Sequence, residues 1–194
     1  MQQLNNITGI ILAGGQSSRM GTDKGLLSLN GLLFIERIIK ALKPLVDEII
    51  IVSNNSIYDQ FGFKRVTDSI QNAGPLAGLY SGLQQTTTKN NLVLSCDVPL
   101  INTEVLNVLV NNIDDNFQVI QLKSQNKTMP LIALYNKECM YICLELLQQG
   151  ERRLRNAVNQ LHTKTITIDA KFDTCVNNIN TKDELNALRN DIKG

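Results

Sequence analysis

The stretch from Ile10 to Lys24, with the sequence IILAGGQSSRMGTDK, limits what this chain can fold into more than any other. Its first residues are continuously apolar, which is typical of a strand buried on both faces of a sheet. The loop that follows is rich in glycine and carries two cations, Arg19 and Lys24. Because glycine lets the backbone approach a ligand closely, consecutive N–H groups of such a loop can converge on an anion. The stretch therefore predicts a phosphate-binding loop rather than a bare strand and turn.

The spacing of the glycines in this loop excludes two common phosphate-binding motifs. The sequence GGQSSRMG is not G-x-G-x-x-G, and G-x-x-x-x-G-K-[ST] occurs nowhere in the chain. A third kind of nucleotide-binding loop is therefore required.

Composition and charge predict a single globular domain over residues 1–194. The 43% hydrophobic content of these 194 residues can supply a sizeable core. Nineteen basic and eighteen acidic residues give a net charge of +1, so no overall field attracts nucleic acid or an anionic membrane. No apolar run reaches the roughly 18 residues that a bilayer span requires.

The cysteine pattern predicts a reduced, cytoplasmic protein. The four cysteines form no C-x-x-C pair, and the chain does not start with a charged segment followed by an apolar signal core. Cys139 and Cys143 would share one helix face, which permits a metal pair in principle. His162 is distant in sequence and carboxylates do not cluster there, so two buried thiols are the favoured interpretation.

The hydrophobic pattern alternates strands with helices, and this predicts a doubly wound, mostly parallel sheet with its ligand cleft at the carboxyl ends of the strands. We expect strands at roughly residues 7–13, 49–52, 63–66, 92–95, 119–122 (an edge strand), 131–135 and 166–168. A polar loop is expected at residues 124–128. We expect helices at roughly residues 33–46, from 75 onward, at 105–113, 140–147 and 154–161, and from 181 onward.

Polar residues follow two of these strands. Ser53, Asn54 and Asn55 come after the second strand, where they are candidates for base contacts or ordinary turn residues. Asp97 follows the strand at 92–95, and its carboxylate can coordinate Mg²⁺ or cap a helix. The glycine loop, Asp68 and Asp97 would meet at this edge of the sheet.

Three further features need an explanation beyond simple helix formation. Gly78 and Gly82 lie inside a helix, where glycine costs about 1 kcal/mol relative to alanine, so either helix packing or a ligand must approach closely there. Arg152, Arg153 and Arg155 lie at a helix start, an unfavourable place for cations that indicates a nearby anion or a solvated surface. Thr181 and Glu184 form a capping box, which leaves Asn178 and Asn180 unexplained.

The pattern Leu12-Ala13-Gly14-Gly15-x-x-x-Arg19-Met20-Gly21-x-Asp23-Lys24 resembles the signature of the molybdenum cofactor guanylyltransferases, in the nucleotidyltransferase superfamily. Four later segments are similar as well: PLAG at 75–78, CDVP at 96–99, GERR at 150–153 and NINT at 178–181. The resemblance covers nearly the whole chain. It implies a Rossmann-like three-layer α/β/α nucleotidyltransferase fold.

The resemblance also implies a reaction and its participants. GTP and molybdopterin carrying molybdenum would give molybdopterin guanine dinucleotide and pyrophosphate, with attack of the pterin's terminal phosphate on the α-phosphorus and with Mg²⁺ as cofactor. It further implies transient contacts with other proteins of cofactor biosynthesis or with proteins that accept the product.

The residue roles follow from the matching positions. We expect catalysis by Arg19, Lys24 and Asp97, with Asp97 as the Mg²⁺ ligand. Nucleotide contacts are implied for Leu12, Ala13, Gly14, Gly15, Lys24, Ser53, Asn55, Asp68 and Asp97. Pterin contacts are implied for Gly78, Arg153, Asn178 and Asn180. The family commonly has Asn-x-Asn after the second strand, and here Ser53 replaces the first asparagine while Asn55 keeps the second.

Three other functions are compatible with parts of the sequence. A cytidylyltransferase would share most of the motif, but the resembling cytidine enzymes tend to have two alanines before the glycine, where this chain has Ala13-Gly14-Gly15. An oxidoreductase that binds a dinucleotide would need the missing G-x-G-x-x-G motif. A non-catalytic nucleotide-binding regulator could dispense with the metal carboxylate. This chain has both Lys24 and Asp97, which argues against such a regulator.

Overall fold

A computed structural model describes residues 6–14, 23–70 and 73–191. Its strands are β1 (Ile7–Leu12), β2 (Ser28–Leu29), β3 (Leu32–Leu33), β4 (Glu48–Val52), β5 (Lys64–Val66), β6 (Asn90–Ser95), β7 (Val119–Ser124), β8 (Lys127–Asn136) and β9 (Thr163–Thr167). Seven of them form one sheet in the order β5-β4-β1-β6-β8-β7-β9. Only β8 runs antiparallel to its neighbours in that sheet as described, so the predicted mostly parallel sheet is confirmed. Strands β2 and β3 pair separately.

Helices cover both faces of the sheet. They are α1 (Phe34–Leu42), α2 (Gly74–Gln84), α3 (Thr103–Val110), α4 (Cys139–Gln148), α5 (Leu154–Val158) and α6 (Lys182–Asp191). Short 3-10 helices span Lys24–Leu26, Ser56–Phe61 and Ala170–Val176. Helices α1 and α3 pack in one core with Ile11, and α2, α4 and α5 pack in a second core with Ile10. Because neighbouring residues of β1 enter opposite cores, the predicted burial of this strand on both faces is confirmed, as is the three-layer fold.

Strand β7 was predicted to be an edge strand, and this is wrong. It lies between β8 and β9, and the Gln121 Nε2 donates to the Thr165 Oγ1 at 3.1 Å, so its polar side chain meets the neighbouring strand rather than solvent. The loop predicted at 124–128 is a tight hairpin turn, since Ser124 already pairs with Lys127. The true edge, β9, spans Thr163–Thr167 rather than 166–168.

Helix boundaries follow local chemistry. Helix α1 ends at Leu42, earlier than predicted, because Pro44 has no N–H with which to continue the helix. Gly150 ends the α4 segment with φ of 86°, as predicted. The capping box before α6 is also confirmed: Thr181 N donates to the Glu184 carboxylate at 3.1 Å, and Glu184 N donates to the Thr181 hydroxyl at 3.2 Å.

Candidate active site

The carboxyl ends of β5, β4, β1 and β6 lie side by side. Ala13 N donates to Val52 O at 2.9 Å, and Cys96 N donates to Leu12 O at 3.0 Å. Ser53 N bonds in the same way to the last carbonyl of β5, at 2.8 Å. The segments that follow these strands therefore leave the sheet along one edge, where ligands bind in open α/β sheets.

An ion pair between Lys24 and Asp97 lies at this edge. The Lys24 Nζ is 3.3 Å from the Asp97 Oδ2, and the two side chains are only 19% and 15% exposed. The same Nζ donates to the Asn180 Oδ1 at 2.6 Å. The structure thus brings together three residues from distant parts of the sequence that the resemblance assigned to one site.

The second oxygen of Asp97 is held by neutral donors. Its Oδ1 accepts from the Asn178 Nδ2 at 3.0 Å and from the Ser95 hydroxyl, and its backbone carbonyl accepts from Ile179 N at 2.8 Å. Within the described chain, its side chain accepts from no backbone N–H, so a helix-capping role is wrong. Sequence analysis missed Ser95, because a serine at the end of a buried strand carries no distinct signal.

Asp68 forms a second group with two glycines. A methyl group added at Gly14 would lie 4.0 Å from the Asp68 Oδ2, and one at Gly78 would lie 3.6 Å from the Oδ1. Burial raises the pKa of Asp68 above its ordinary value. No donor in residues 6–14, 23–70 or 73–191 bonds to this half-buried carboxylate. It is therefore an acceptor that a ligand can reach past two residues without side chains.

The side chains after β4 have local partners. The Asn55 Oδ1 accepts from Ile57 N at 3.1 Å, and its Nδ2 lies 3.4 Å from the Asp23 Oδ2. The Ser53 hydroxyl is buried and accepts from Asn55 N at 3.2 Å. The Asn54 side chain accepts from Asp68 N at 3.0 Å. It thereby connects the turn after β4 to Asp68, a contact that the sequence did not predict.

The first loop is described only in part. Leu12 and Ala13 are buried in the two cores, and Gly14 is the first exposed residue after β1. Gly15 and Arg19, for which roles were predicted, lie outside the described residues.

The anion expected near the three arginines is a side chain of the protein itself. The Glu151 carboxylate accepts from Arg153 N at 2.9 Å, from Arg152 N at 2.8 Å and from the Asn156 side chain. These bonds, that of the Arg153 N–H first, lower the pKa of Glu151 to about 2. The exposed Arg153 lines a surface pocket of about 660 Å³ that includes neither Lys24 nor Asp97.

The described residues contain no group of three or more histidine, cysteine or acidic side chains placed to hold a metal. Cys139 and Cys143 are free and buried, which confirms the interpretation as core thiols, and burial raises the pKa of each to about 12. No helix in the described chain has the length and apolar character needed to cross a membrane.

Comparison with known proteins identifies the family. A sequence model of the MobA-like NTP transferase domain matches residues 9–164. The chain belongs to this family. The MobA-like assignment confirms the resemblance and makes the chain a nucleotidyltransferase. The matched region ends before α6.

Proteins similar to this chain match it over nearly its full length. A protein of Flavobacterium johnsoniae named a probable molybdenum cofactor guanylyltransferase is 34% identical over 185 residues, which are 95% of this chain and 97% of that protein. One of Desulfosudis oleivorans named a molybdenum cofactor guanylyltransferase is 31% identical over 98% of both chains. The crystal structure of the molybdopterin-guanine dinucleotide biosynthesis protein A of Archaeoglobus fulgidus has the same fold, with a TM-score of 0.82 at 20% identity over 96% of this chain and 98% of that one.

Proposed function

We propose that this protein transfers GMP from GTP to the terminal phosphate of molybdenum-molybdopterin, giving molybdopterin guanine dinucleotide and pyrophosphate. The observation that carries the proposal is the Lys24–Asp97 pair at the strand edge, in a chain with relatives named molybdenum cofactor guanylyltransferases. Phosphoryl transfer of this kind needs alignment and charge neutralisation more than a covalent intermediate. Lys24 and Asp97 supply a cation and a metal ligand for that purpose.

Lys24 is the group that meets the phosphates. Its ammonium is a compact charge with three donors, two of which are directed at Asp97 and Asn180 in the free protein. A triphosphate competes for this ammonium with several negative oxygens. In this proposal Lys24 neutralises charge on the nucleotide, together with the predicted contribution of Arg19.

Asp97 fits the role of a Mg²⁺ ligand. Magnesium is usually held by one or two carboxylates, with waters and substrate phosphates in the remaining positions, so a single aspartate suffices. The Oδ1 of Asp97 is oriented by Ser95 and Asn178, whereas the Oδ2 accepts from the Lys24 ammonium. The ion would take the place of that ammonium at the Oδ2 when Lys24 turns to the phosphates. When bound, the ion would stabilise the charge that develops between the α-phosphate and the leaving pyrophosphate.

The Asp68 group fits the nucleoside. A carboxylate that has no donor among the described residues can accept from the N–H groups of a purine edge or from ribose hydroxyls, and Gly14 and Gly78 leave room for either. Leu12, Ala13 and Gly15, with Ser53 and Asn55, complete the predicted nucleotide side. Such a site rejects the wrong base by leaving buried polar groups unpaired, so GTP should be preferred over CTP.

The pterin side is assigned to Gly78, Arg153, Asn178 and Asn180. Arg153 has an exposed guanidinium that can meet a phosphate, and the two asparagines already contact the Lys24–Asp97 pair. All four cysteines are free, which suits a reducing compartment, so we infer that the reaction takes place in the cytoplasm.

A competition experiment tests the reaction and the base together. The protein is incubated with molybdenum-molybdopterin, Mg²⁺ and equimolar GTP and CTP, and the pterin product is examined by mass spectrometry. We expect the guanine dinucleotide, with pyrophosphate released in equal amount. A cytosine dinucleotide would establish the cytidylyltransferase alternative, and nucleotide binding without pyrophosphate release would establish the non-catalytic one.

A further inference from the structure

The backbone around Lys24 is fastened to a buried tyrosine that sequence analysis did not single out. We propose that Tyr58 and Asp23 form a positioning unit that aims the Lys24 side chain at the phosphate site. This inference rests on the proposed role of Lys24 in nucleotide transfer. Neither Tyr58 nor Asp23 contacts the reacting atoms in this proposal; both act through Lys24.

Tyr58 is a rigid support for this purpose. It lies in the 3-10 helix Ser56–Phe61, it is fully buried in the core that contains β1 and α1, and its ring packs at 6.0 Å from the ring of Phe61. Its hydroxyl donates to the Asp23 Oδ1 at 2.5 Å. Burial first, and then Cys96 and the hydrogen bond to Asp23, raise the pKa of Tyr58 far above its ordinary value, so the phenol stays a donor at every working pH.

Asp23 links Tyr58 to the residues around Lys24. Its Oδ1 also accepts from Gly25 N at 3.1 Å, which caps the 3-10 helix that begins with Lys24. Its Oδ2 lies 3.4 Å from the Asn55 Nδ2, at the end of β4. One carboxylate therefore connects the lysine segment to a buried ring and to the neighbouring strand end.

Gly25 fixes the other side of Lys24 by contact. A methyl group at this position would lie 2.3 Å from the Tyr58 Oη and 3.2 Å from its Cζ, so the backbone passes directly against the phenol. The residues before and after Lys24 thus both rest on Tyr58. A lysine side chain has many accessible rotamers, and a fixed backbone reduces the number of positions that its ammonium can take.

A double-mutant cycle tests whether Tyr58 acts through Lys24. Tyr58→Phe keeps the buried ring and removes the hydroxyl, and Lys24→Ala removes the group that is to be positioned. We expect Tyr58→Phe to lower turnover about tenfold in the wild type and less than about twofold in the Lys24→Ala background, because positioning is lost only where there is a lysine to position. Tyr58→Phe should change Tm by the same amount in both backgrounds. If Tyr58→Phe lowered turnover by the same factor in the wild type and in Lys24→Ala, the proposal would be overturned.

A second pair of variants tests the inference if Tyr58→Phe folds poorly. Asp23→Asn keeps an oxygen that accepts from Tyr58 and Gly25, whereas Asp23→Ala removes it. We expect Asp23→Asn to retain turnover within about threefold of the wild type and Asp23→Ala to lose about tenfold or more, with a smaller difference between their KM values for GTP. Equal losses in kcat for the two variants would overturn the positioning role.

Failure of the proposed function is distinguishable from failure of this inference. If the wild type uses CTP instead of GTP, the proposed function is wrong and the cycle is measured with CTP. If the wild type releases pyrophosphate from neither nucleotide, calorimetry gives the Kd of inorganic pyrophosphate for the wild type, the two single variants and the double variant. Tyr58→Phe should then weaken binding in the wild type and not in Lys24→Ala, and equal factors would overturn the inference.

Discussion

Asp68 and Asp97 are both aspartates just beyond strand ends, but the structure treats their charges differently. Asp97 has a cation on one oxygen and two neutral donors on the other. Asp68 is half-buried and has no donor among the residues described, so its charged form is disfavoured. Removing the charge of each residue should therefore affect stability in opposite directions, while both changes impair the same reaction.

For Asp97→Asn we expect a loss in turnover on the order of 100-fold, roughly 3 kcal/mol, as for other preorganised groups that stabilise charge. Asparagine keeps the shape but not the charge that would hold Mg²⁺. Its amide also directs a donor at groups that are themselves donors, so Tm should fall modestly. Turnover is measured against Mg²⁺ concentration, with Asp115→Asn in an exposed ion pair as control. A near-normal rate with an unchanged Mg²⁺ midpoint would remove Asp97 from the metal site.

For Asp68→Asn we expect a higher Tm at neutral pH together with weaker GTP binding. The folded-state pKa of this acid is raised, so its ionisation costs stability as the pH rises through the unfolded value toward the folded one. Asparagine avoids that cost, and the gain should vanish at a pH below about 3.8, where the aspartate is protonated in both states. Calorimetric Tm values across pH check this, and a gain that persists in acid would contradict it.

Helix α2 shows that two glycines in one element can have different reasons. A methyl at Gly82 would lie 2.7 Å from the Ile10 Cγ2, so this glycine lets the helix pack onto the sheet. A methyl at Gly78 meets only ordinary contacts, 3.4 Å from the Leu12 Cδ2 and 3.6 Å from the Asp68 Oδ1. Sequence analysis left packing and ligand approach open for the pair, and the structure assigns packing to Gly82.

The two glycines form a matched test of this division. We expect Gly82→Ala to destabilise the fold by about 1–3 kcal/mol through overpacking, with turnover of the folded protein little changed. Gly78→Ala should keep or raise stability, because alanine favours the helix by about 1 kcal/mol, while turnover falls as its methyl enters the space beside Asp68. Urea unfolding and turnover are measured on both variants. The reverse pattern would exchange the two roles.

Sequence analysis predicted best the elements whose own residues form a clear hydrophobic or capping pattern. Strands β1, β4 and β6 are apolar runs, and α6 begins at a capping box, so local chemistry alone defines them. The 3-10 helix around Tyr58 was missed, since its six residues show no helical period. The interior position of β7 and the contact of Glu151 with the arginine segment were also missed, because they depend on which segments meet in space.

At the scale of the whole molecule, the candidate site is completed by the segment before α6. Asn178 and Asn180 reach Asp97 and Lys24, although they follow the region that the family model matches. Ile179 and Leu185 hold this segment by packing with Leu29 in a small third core. The geometry of the site therefore depends on a cluster that contains no site residue.

Leu185→Ala tests this dependence against Leu161→Ala. Both leucines are almost fully buried, and each truncation should cost about 2–5 kcal/mol. Leu161 packs with α4 and α5 instead. At a temperature well below both Tm values, we expect Leu185→Ala to lower turnover severalfold and Leu161→Ala to leave it near the wild type. Equal turnover in the two variants would show that the third core does not support the site.

The wide sequence separation inside the site has a consequence during synthesis. Lys24 lies 73 positions from Asp97 and 156 from Asn180, and a ribosome delivers the chain from its amino end. Both charged residues emerge long before the two asparagines that contact them. A nascent chain, or one released early by a premature stop codon, therefore carries the proposed nucleotide side of the site without its final restraints. We expect such products to be inert rather than weakly active.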